Sequence, residues 1–212
     1  MSMIKEVSSD WERSYKSITF IVTKDCQLAC KYCYLVGKNA KERMSWDVAK
    51  KTIDYILNNH NFFNEEAVVW DFIGGEPFLE IDLIDKICDY IKTEMFRLCH
   101  PWFDNYRFNF STNGINYNSE KIQSFIKKNI THLSIGITID GTKRKHDLNR
   151  IWKTEDMERG VVPNLSEEKG SYDDVVKNIP LWLEQFPGAG TKVTISSADI
   201  PYIKESVLHL YS

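Results

Sequence analysis

Three cysteines within eight residues, Cys26, Cys30 and Cys33, are the feature of this chain best suited to chemistry. Their CxxxCxxC spacing lets one tight loop turn three thiolates toward a common centre. A structural zinc closes its shell with four ligands, and the nearest further candidate, His60, lies well along the chain, on or just past a helix end. A [4Fe–4S] cluster normally takes one Cys per iron. Three thiolates would leave one iron open to a small molecule, much as a missing fourth protein ligand marks catalytic zinc. Three unrelated buried cysteines, and a zinc completed from a distance, are the other readings of the same spacing.

The elements that must position this loop alternate along the chain. Residues 17–23 read as a strand, with β-branched and aromatic content that suits a sheet buried on both sides. Ser45 can cap a helix running to about Asn59, bearing Ala49, Ile53, Ile56 and Leu57 at helical spacing. The pattern continues with a strand at 67–73, a helix through Ile84, Ile87, Ile91 and Met95, a strand at 106–110, a helix at 119–128 and a strand at 133–139. Residues 151–170 read as a loop or insertion. Ser171 is placed to cap a further helix, with Asp174 at the capping-box position and Pro180 interrupting it. A fifth strand is expected at 192–197, and Pro201 opens a last helix.

Five β-then-α units imply a parallel sheet with right-handed crossovers, either an open doubly wound sheet or a barrel. Both architectures bind ligands at the C-terminal ends of the strands. The unusual peptides fall there: the cysteines after the first strand, Gly74-Gly75-Glu76-Pro77 after the second, Ser111-Thr112-Asn113-Gly114 after the third and Thr138-Ile139-Asp140-Gly141 after the fourth. Four segments should therefore converge on one face.

Composition sets outer limits. A chain of 212 residues with 42% hydrophobic and 27% charged residues has globular proportions, and is long enough to bury about 70% of its unfolded surface. The apolar run at 18–22 is far too short to span a bilayer. A net charge of −3 marks no nucleic-acid or anionic-membrane partner. The densest basic cluster, Lys143-Arg144-Lys145-His146, reads as a solvated loop. Five cysteines, an odd number, with no secretory signal at the start, argue for a reducing, cytoplasmic setting.

The cysteine triplet with Tyr32 before its last Cys, followed by Gly74-Gly75-Glu76-Pro77, resembles the radical S-adenosylmethionine (SAM) superfamily. The run 137–141, then His146-Asp147 and Arg150, then 170–173, resembles its peptide- and protein-modifying branch, whose members usually carry a C-terminal SPASM or twitch domain. The wording of residues 23–35 looks most like the peptide maturases paired with CXXX-repeat precursors. The resemblance implies an α/β fold, a partial (β/α)6 TIM-like barrel with about five β/α units, lacking the C-terminal unit and the auxiliary domain. Residues 1–16 would be an N-terminal extension and 17–212 the radical SAM core, incomplete at its C-terminal side. No cysteine follows Cys99, which leaves none for an auxiliary cluster. The chain would then be a fragment of a longer enzyme, or a short relative that works with a partner chain.

The same resemblance assigns roles. Cys26, Cys30 and Cys33 would hold three irons of a [4Fe–4S] cluster, and the methionine end of SAM would chelate the fourth. Tyr32 would sit beside the adenine. Gly74 and Gly75 would let the strand end approach the methionine ammonium, with Glu76 as an acceptor beside it and Pro77 closing the motif. Ser111, Asn113 and Thr138 would reach ribose and carboxylate groups, and Arg150 the SAM carboxylate. The implied reaction is reductive cleavage of SAM to a 5′-deoxyadenosyl radical that abstracts hydrogen from a precursor peptide, with a flavodoxin or ferredoxin as electron donor and a thioether as product. Maturation of a protein target, as in anaerobic sulfatase-maturing relatives, is the alternative enzyme. A non-catalytic metal-binding scaffold is the alternative outside enzymes.

Other residues read more simply. Cys88 lies on the apolar stripe of its helix, Cys99 reads as structural or exposed, and Trp70 and Phe72 as core. Asp140 suits a turn as well as a ligand, His146 and Asp147 suit an ordered loop, and Ser196 and Ser197 end the fifth strand on the expected active face.

Overall fold

A computed structural model of the chain describes residues 15–35, 40–154 and 169–211. Most of the expected N-terminal extension and most of the expected insertion lie outside the described residues. The strands β1 (Tyr15–Thr23), β2 (Ala67–Gly74), β3 (Tyr106–Thr112) and β4 (Leu133–Ile137) form one parallel sheet in chain order. Helices α1 (Trp46–Leu57), α2 (Ile81–Arg97) and α3 (Glu120–Asn129) make the crossovers. The result is an open α/β sheet, a partial barrel. Ser45 caps α1 as expected, its hydroxyl accepting from the Val48 N–H at 3.3 Å.

One face of the sheet carries the core. Phe20, Val22, Trp70, Phe72, Phe108, Phe110, Ile135 and Ile137 pack with Ile53, Leu57, Ile84, Ile87, Cys88, Ile122 and Phe125 of the helices. The alternate strand residues stay partly or largely exposed, Ile21 at 47%. Burial on both faces, read from the run at 17–23, is therefore corrected: β1 alternates, and its second face is turned away from the helices.

Beyond β4 the chain departs further from expectation. The basic cluster at 143–146 is not a solvated loop but the start of α4 (Lys143–Asn149), with Lys145 and His146 buried. Lys145 loses water yet keeps a partner, donating through Nζ to the Thr194 carbonyl at 3.1 Å. The fifth strand is reduced to one parallel bridge between Thr138 and Lys192. Side chains take the ladder's place there. The Thr191 hydroxyl accepts from the Ile139 N–H and donates to the Ile137 carbonyl, and the Thr194 N–H donates to Asp140.

Helices α5 (Tyr172–Val176) and α6 (Ile179–Gln185) are separate, with Pro180 in the first turn of α6, as its missing N–H requires. Ser171 does not cap α5 through its side chain; its hydroxyl donates to the Arg150 carbonyl at 2.8 Å instead. Pro201 sits inside a 3-10 turn (Ser197–Tyr202), and the last helix, α7 (Ile203–Leu210), begins after it.

Phe72 lies at the centre of this core, stacked on Phe20 and Phe110 with ring centroids 5.6 and 5.1 Å away. Phe72→Ala should destabilise the fold by about 3–5 kcal/mol in urea unfolding, the range for truncating a fully buried aromatic.

Candidate active site

The cysteine loop leaves β1 at Thr23 and is tied down by its own side chains before it reaches the first thiol. Thr23 Oγ1 accepts from the Asp25 N–H, and Asp25 Oδ1 accepts from the Cys26 N–H at 2.9 Å. A second tether comes from far along the chain. The Ala29 and Lys31 N–H groups donate to the Ile151 and Asn149 carbonyls, and the Lys153 N–H donates to the Gln27 carbonyl. Residues 149–153 thus lie antiparallel against the loop, bridged at Leu28 and Trp152. Leu28, only 2% exposed, packs between Cys26, Cys30 and Trp152. The sequence carried no visible signal for this clasp, because 149–153 has neither strand alternation nor helical spacing.

Gly74 and Gly75 meet the loop from the β2 side. A Cβ at Gly75 would lie 2.2 Å from the Asp25 carbonyl oxygen, and one at Gly74 would lie 2.5 Å from that of Thr23. The Gly75 and Glu76 N–H groups donate to those same two carbonyls at 2.8 Å. The space a side chain would need is therefore already filled by the cysteine loop's backbone.

Glu76 turns inward and is fully buried. Its Oε1 accepts from the Thr112 hydroxyl at 2.7 Å and the Phe78 N–H at 3.1 Å, and its Oε2 accepts from the Asn113 N–H at 2.7 Å. Burial pushes this carboxyl's pKa up against those donors. It also pushes the Cys26 thiol up to about 12, with the Glu76 charge adding to the effect. The Asn113 side chain is equally committed, accepting from the Ile115 N–H and donating to Gln27 Oε1 at 3.1 Å.

A third set of contacts joins Tyr32 to the end of β4. The Tyr32 hydroxyl donates to Asp140 Oδ2 at 2.5 Å and accepts from Arg150 Nη1 at 2.9 Å. Asp140 is completely buried, and its other oxygen takes the Thr194 N–H. It therefore serves as an anchor between the cysteine loop and β4, a part that its turn-like setting before Gly141 concealed. Burial raises the Tyr32 pKa. Burial opposes the charge on Arg150, yet Cys30, Tyr32 and Asp140 together hold its pKa above the ordinary value.

His146 completes the support from below. Nδ1 accepts from the Asp140 N–H at 3.4 Å, so the proton sits on Nε2 and is donated to Ser171 Oγ at 3.0 Å. Burial, reinforced by Arg150 and Lys143, pulls its pKa down to about 3. Asp147 accepts from the Tyr172 N–H at 2.8 Å. Both residues order the loop after β4, in line with their plainer reading.

These contacts leave a cleft of about 400 Å³ at the C-terminal ends of the strands. Every site residue singled out from sequence lines it except Glu76 and Pro77, which sit behind the wall. Tyr34, Ile73, Lys192 and Thr194 also line it without having been singled out. Lys192 and Thr194 lie on the expected fifth strand, where attention to its end favoured Ser196 and Ser197. Those two serines turn away: Ser196 N–H and Oγ both bond Asp199 and open the 3-10 turn. His60, between α1 and the start of β2, lies against His100 with tilted rings, 4.9 Å between centroids. It is no ligand to the triplet.

Three cysteines, none of them in a disulfide, stand on the loop after the first strand of an open parallel α/β sheet. The chain belongs to the radical SAM superfamily, whose model matches residues 20–196. A [4Fe–4S] cluster and S-adenosylmethionine are the cofactors of that superfamily. The chain is 33% identical to uncharacterized protein MJ0907 of Methanocaldococcus jannaschii over 92% of its own length and 58% of that protein's. It is 26% identical to a cysteine-type anaerobic sulfatase-maturating enzyme of Clostridium novyi, over 78% of this chain and 40% of that one. The solved structure of native anSMEcpe with bound AdoMet and Kp18Cys peptide superimposes with a TM-score of 0.69 at 17% identity, covering 93% of this chain and 48% of that one. The chain thus spans about half the length of the relatives it matches. No helix among the described residues is long and apolar enough to cross a membrane.

Two outcomes test this geometry. Gly75→Ala should lower the unfolding midpoint in urea and loosen the cysteine loop, seen as faster amide exchange at Asp25 and Cys26, because the added methyl meets backbone that cannot rotate away. His146 should contribute a pH dependence of stability. Its folded pKa lies below the unfolded value of about 6.5, so its stabilisation is complete above that pH. It fades toward pH 3, at up to about 1.4 kcal/mol per pH unit. The His146→Gln variant should show a shallower loss of stability between pH 6.5 and 4 than the unaltered chain. His100, also depressed by burial, to about 4, accounts for part of the slope that persists.

Proposed function

We propose that this chain binds a [4Fe–4S] cluster through Cys26, Cys30 and Cys33 and S-adenosylmethionine in the adjoining cleft, as the radical-generating core of a peptide-modifying enzyme. The observation that carries this reading is the meeting of three cysteines, none in a disulfide, with the ends of β2, β3 and β4 on one cleft.

The donor set fits the cofactors. Thiolates are the soft ligands that iron–sulfur clusters take. No three His, Cys, Asp or Glu side chains among the described residues converge as one metal ion would need. In a [4Fe–4S] cluster each thiolate serves a different iron. Arg150 adds a buried guanidinium whose Nε has no hydrogen-bond partner, a fork suited to a carboxylate.

Cys26, Cys30 and Cys33 would hold the cluster, and the bound group would supply the one-electron reduction that turns SAM into a hydrogen-abstracting agent. The residues of the chain bind, orient and exclude water. Arg150 would take the methionine carboxylate. Gly74 and Gly75 would bring the β2 end beside the ammonium, with Glu76 providing negative potential from behind the wall and Pro77 starting the turn after it. Ser111, Asn113 and Thr138 would face the ribose and carboxylate, and Tyr32 the adenine, its hydroxyl held by Asp140. A flavodoxin or ferredoxin would deliver the electron.

The finer reading is thioether formation in a precursor peptide, supported by the wording of residues 23–35. Maturation of a cysteine in a protein target is the second reading, supported by the likeness to a sulfatase-maturating enzyme.

Anaerobic reconstitution should yield a brown protein with about four irons per chain. SAM and a reductant should then release 5′-deoxyadenosine. Cys30→Ala should lose both the iron and the product. A colourless protein holding one zinc, or a Cys30→Ala variant that behaves like the parent, would overturn the reading.

A further inference from the structure

The sheet face turned away from the helices has a composition that parallel strands rarely carry. In the register of the four strands, Thr19 pairs with Asp71, Asp71 with Asn109 and Asn109 with Ser134. One polar layer therefore crosses the whole sheet. In a filled (β/α) barrel the inward layers are dominated by bulky branched apolar side chains, and Asp and Asn are among the residues strands disfavour. Local preference gives way here in favour of hydrogen bonding. Asn109 Nδ2 donates to Asp71 Oδ1 at 2.6 Å, and the Thr19 hydroxyl reaches Oδ2 at 3.5 Å.

Three members of this layer, Asp71, Asn109 and Ser134, line a pocket of about 510 Å³ together with Lys192. The pocket adjoins the cofactor cleft, for Tyr34, Ile73, Ser111 and Lys192 line both. Asp71 lies two residues below Ile73 on β2, roughly 7 Å down the strand from the shared rim. The side chains that meet its carboxylate, Asn109 and Thr19, are both neutral. A cationic group entering from the cleft would be drawn to this unneutralised carboxylate.

We infer that Asp71, oriented by Asn109 and Thr19, is the recognition point for a positively charged side chain of the substrate, seated with its ammonium or guanidinium on the polar layer and its backbone toward the cofactor cleft. This inference rests on the proposed function only in taking the occupant to be a peptide. A carboxylate braced by two neutral donors keeps lone pairs free for a charged third donor, and charge-assisted bonds of that kind are the strong ones. Asp71 would thus set specificity and position the substrate.

The probes are the blocked peptides Ac-Gly-Lys-Gly-NH2 and Ac-Gly-Gln-Gly-NH2, titrated into the iron-free protein and followed by NMR. The lysine peptide should bind at least about tenfold tighter and shift the Asn109 side-chain amide, and Asp71→Asn should abolish the preference. Equal affinities, a preference with no shift at Asn109, or a preference retained in folded Asp71→Asn would each overturn the inference. The comparison of the two peptides on the unaltered chain stands even if the variant fails to fold. SAM binding to the reconstituted protein is measured separately, so failure of the cofactor reading and failure of this one are distinguishable.

Discussion

The close approach of two backbones, where β2 ends at Gly74-Gly75 and the chain leaves β1 at Thr23–Asp25, is the constraint on which the rest of the site depends. With carbonyl oxygens only 2.2 and 2.5 Å from where Cβ atoms would stand, only glycine lets the strand end and the cysteine loop share two hydrogen bonds. That contact sets where Cys26 begins. It also sends Glu76 under the β3 end, where its carboxylate collects the Thr112 hydroxyl and the Asn113 N–H. Three strand ends are thereby locked together by backbone and one buried acid.

The loop's far side is held by contacts that span much greater sequence distances. Tyr32 meets Asp140 and Arg150, and Leu28 meets Trp152. His146 and Ser171 pass the restraint from the Asp140 backbone to the Arg150 carbonyl. Asp140, Arg150, His146 and Ser171 are buried, Tyr32 is partly so, and each has a defined partner, as burial in low dielectric demands. The Arg150 Nε, buried and unpartnered in the cleft wall, stands apart from that rule. A group that breaks it at the rim of a cleft is placed for a ligand.

The sheet itself divides labour between its faces. Aromatic side chains from β1, β2 and β3 pack against the helices in a continuous stack running from Phe20 through Phe72 to Phe110. The opposite face keeps Thr19, Asp71, Asn109 and Ser134. Because strand side chains alternate with a period of two, one register builds both a rigid support and a polar floor beneath the cleft.

The sequence by itself determined the elements whose signal is local or periodic. Apolar spacing marked α1, α2 and α3, Ser45 marked a cap, and Pro180 marked the break before α6. The motif residues at four strand ends were legible because parallel β/α order alone brings such ends to one edge. Tertiary structure decided what depends on partners distant in the chain. The expected strand at 192–197 is reduced to a single bridge, with Thr191 and the Asp140 side chain taking hydrogen bonds a ladder would have used. The basic cluster turns inward at Lys145, whose ammonium finds the Thr194 carbonyl. Ser171 gave up its cap for Arg150, and Asp140 proved an anchor for Tyr32 across more than a hundred residues. Periodicity and capping are properties of neighbours in sequence, whereas the fate of a buried polar group is settled by whichever donor or acceptor the fold delivers to it.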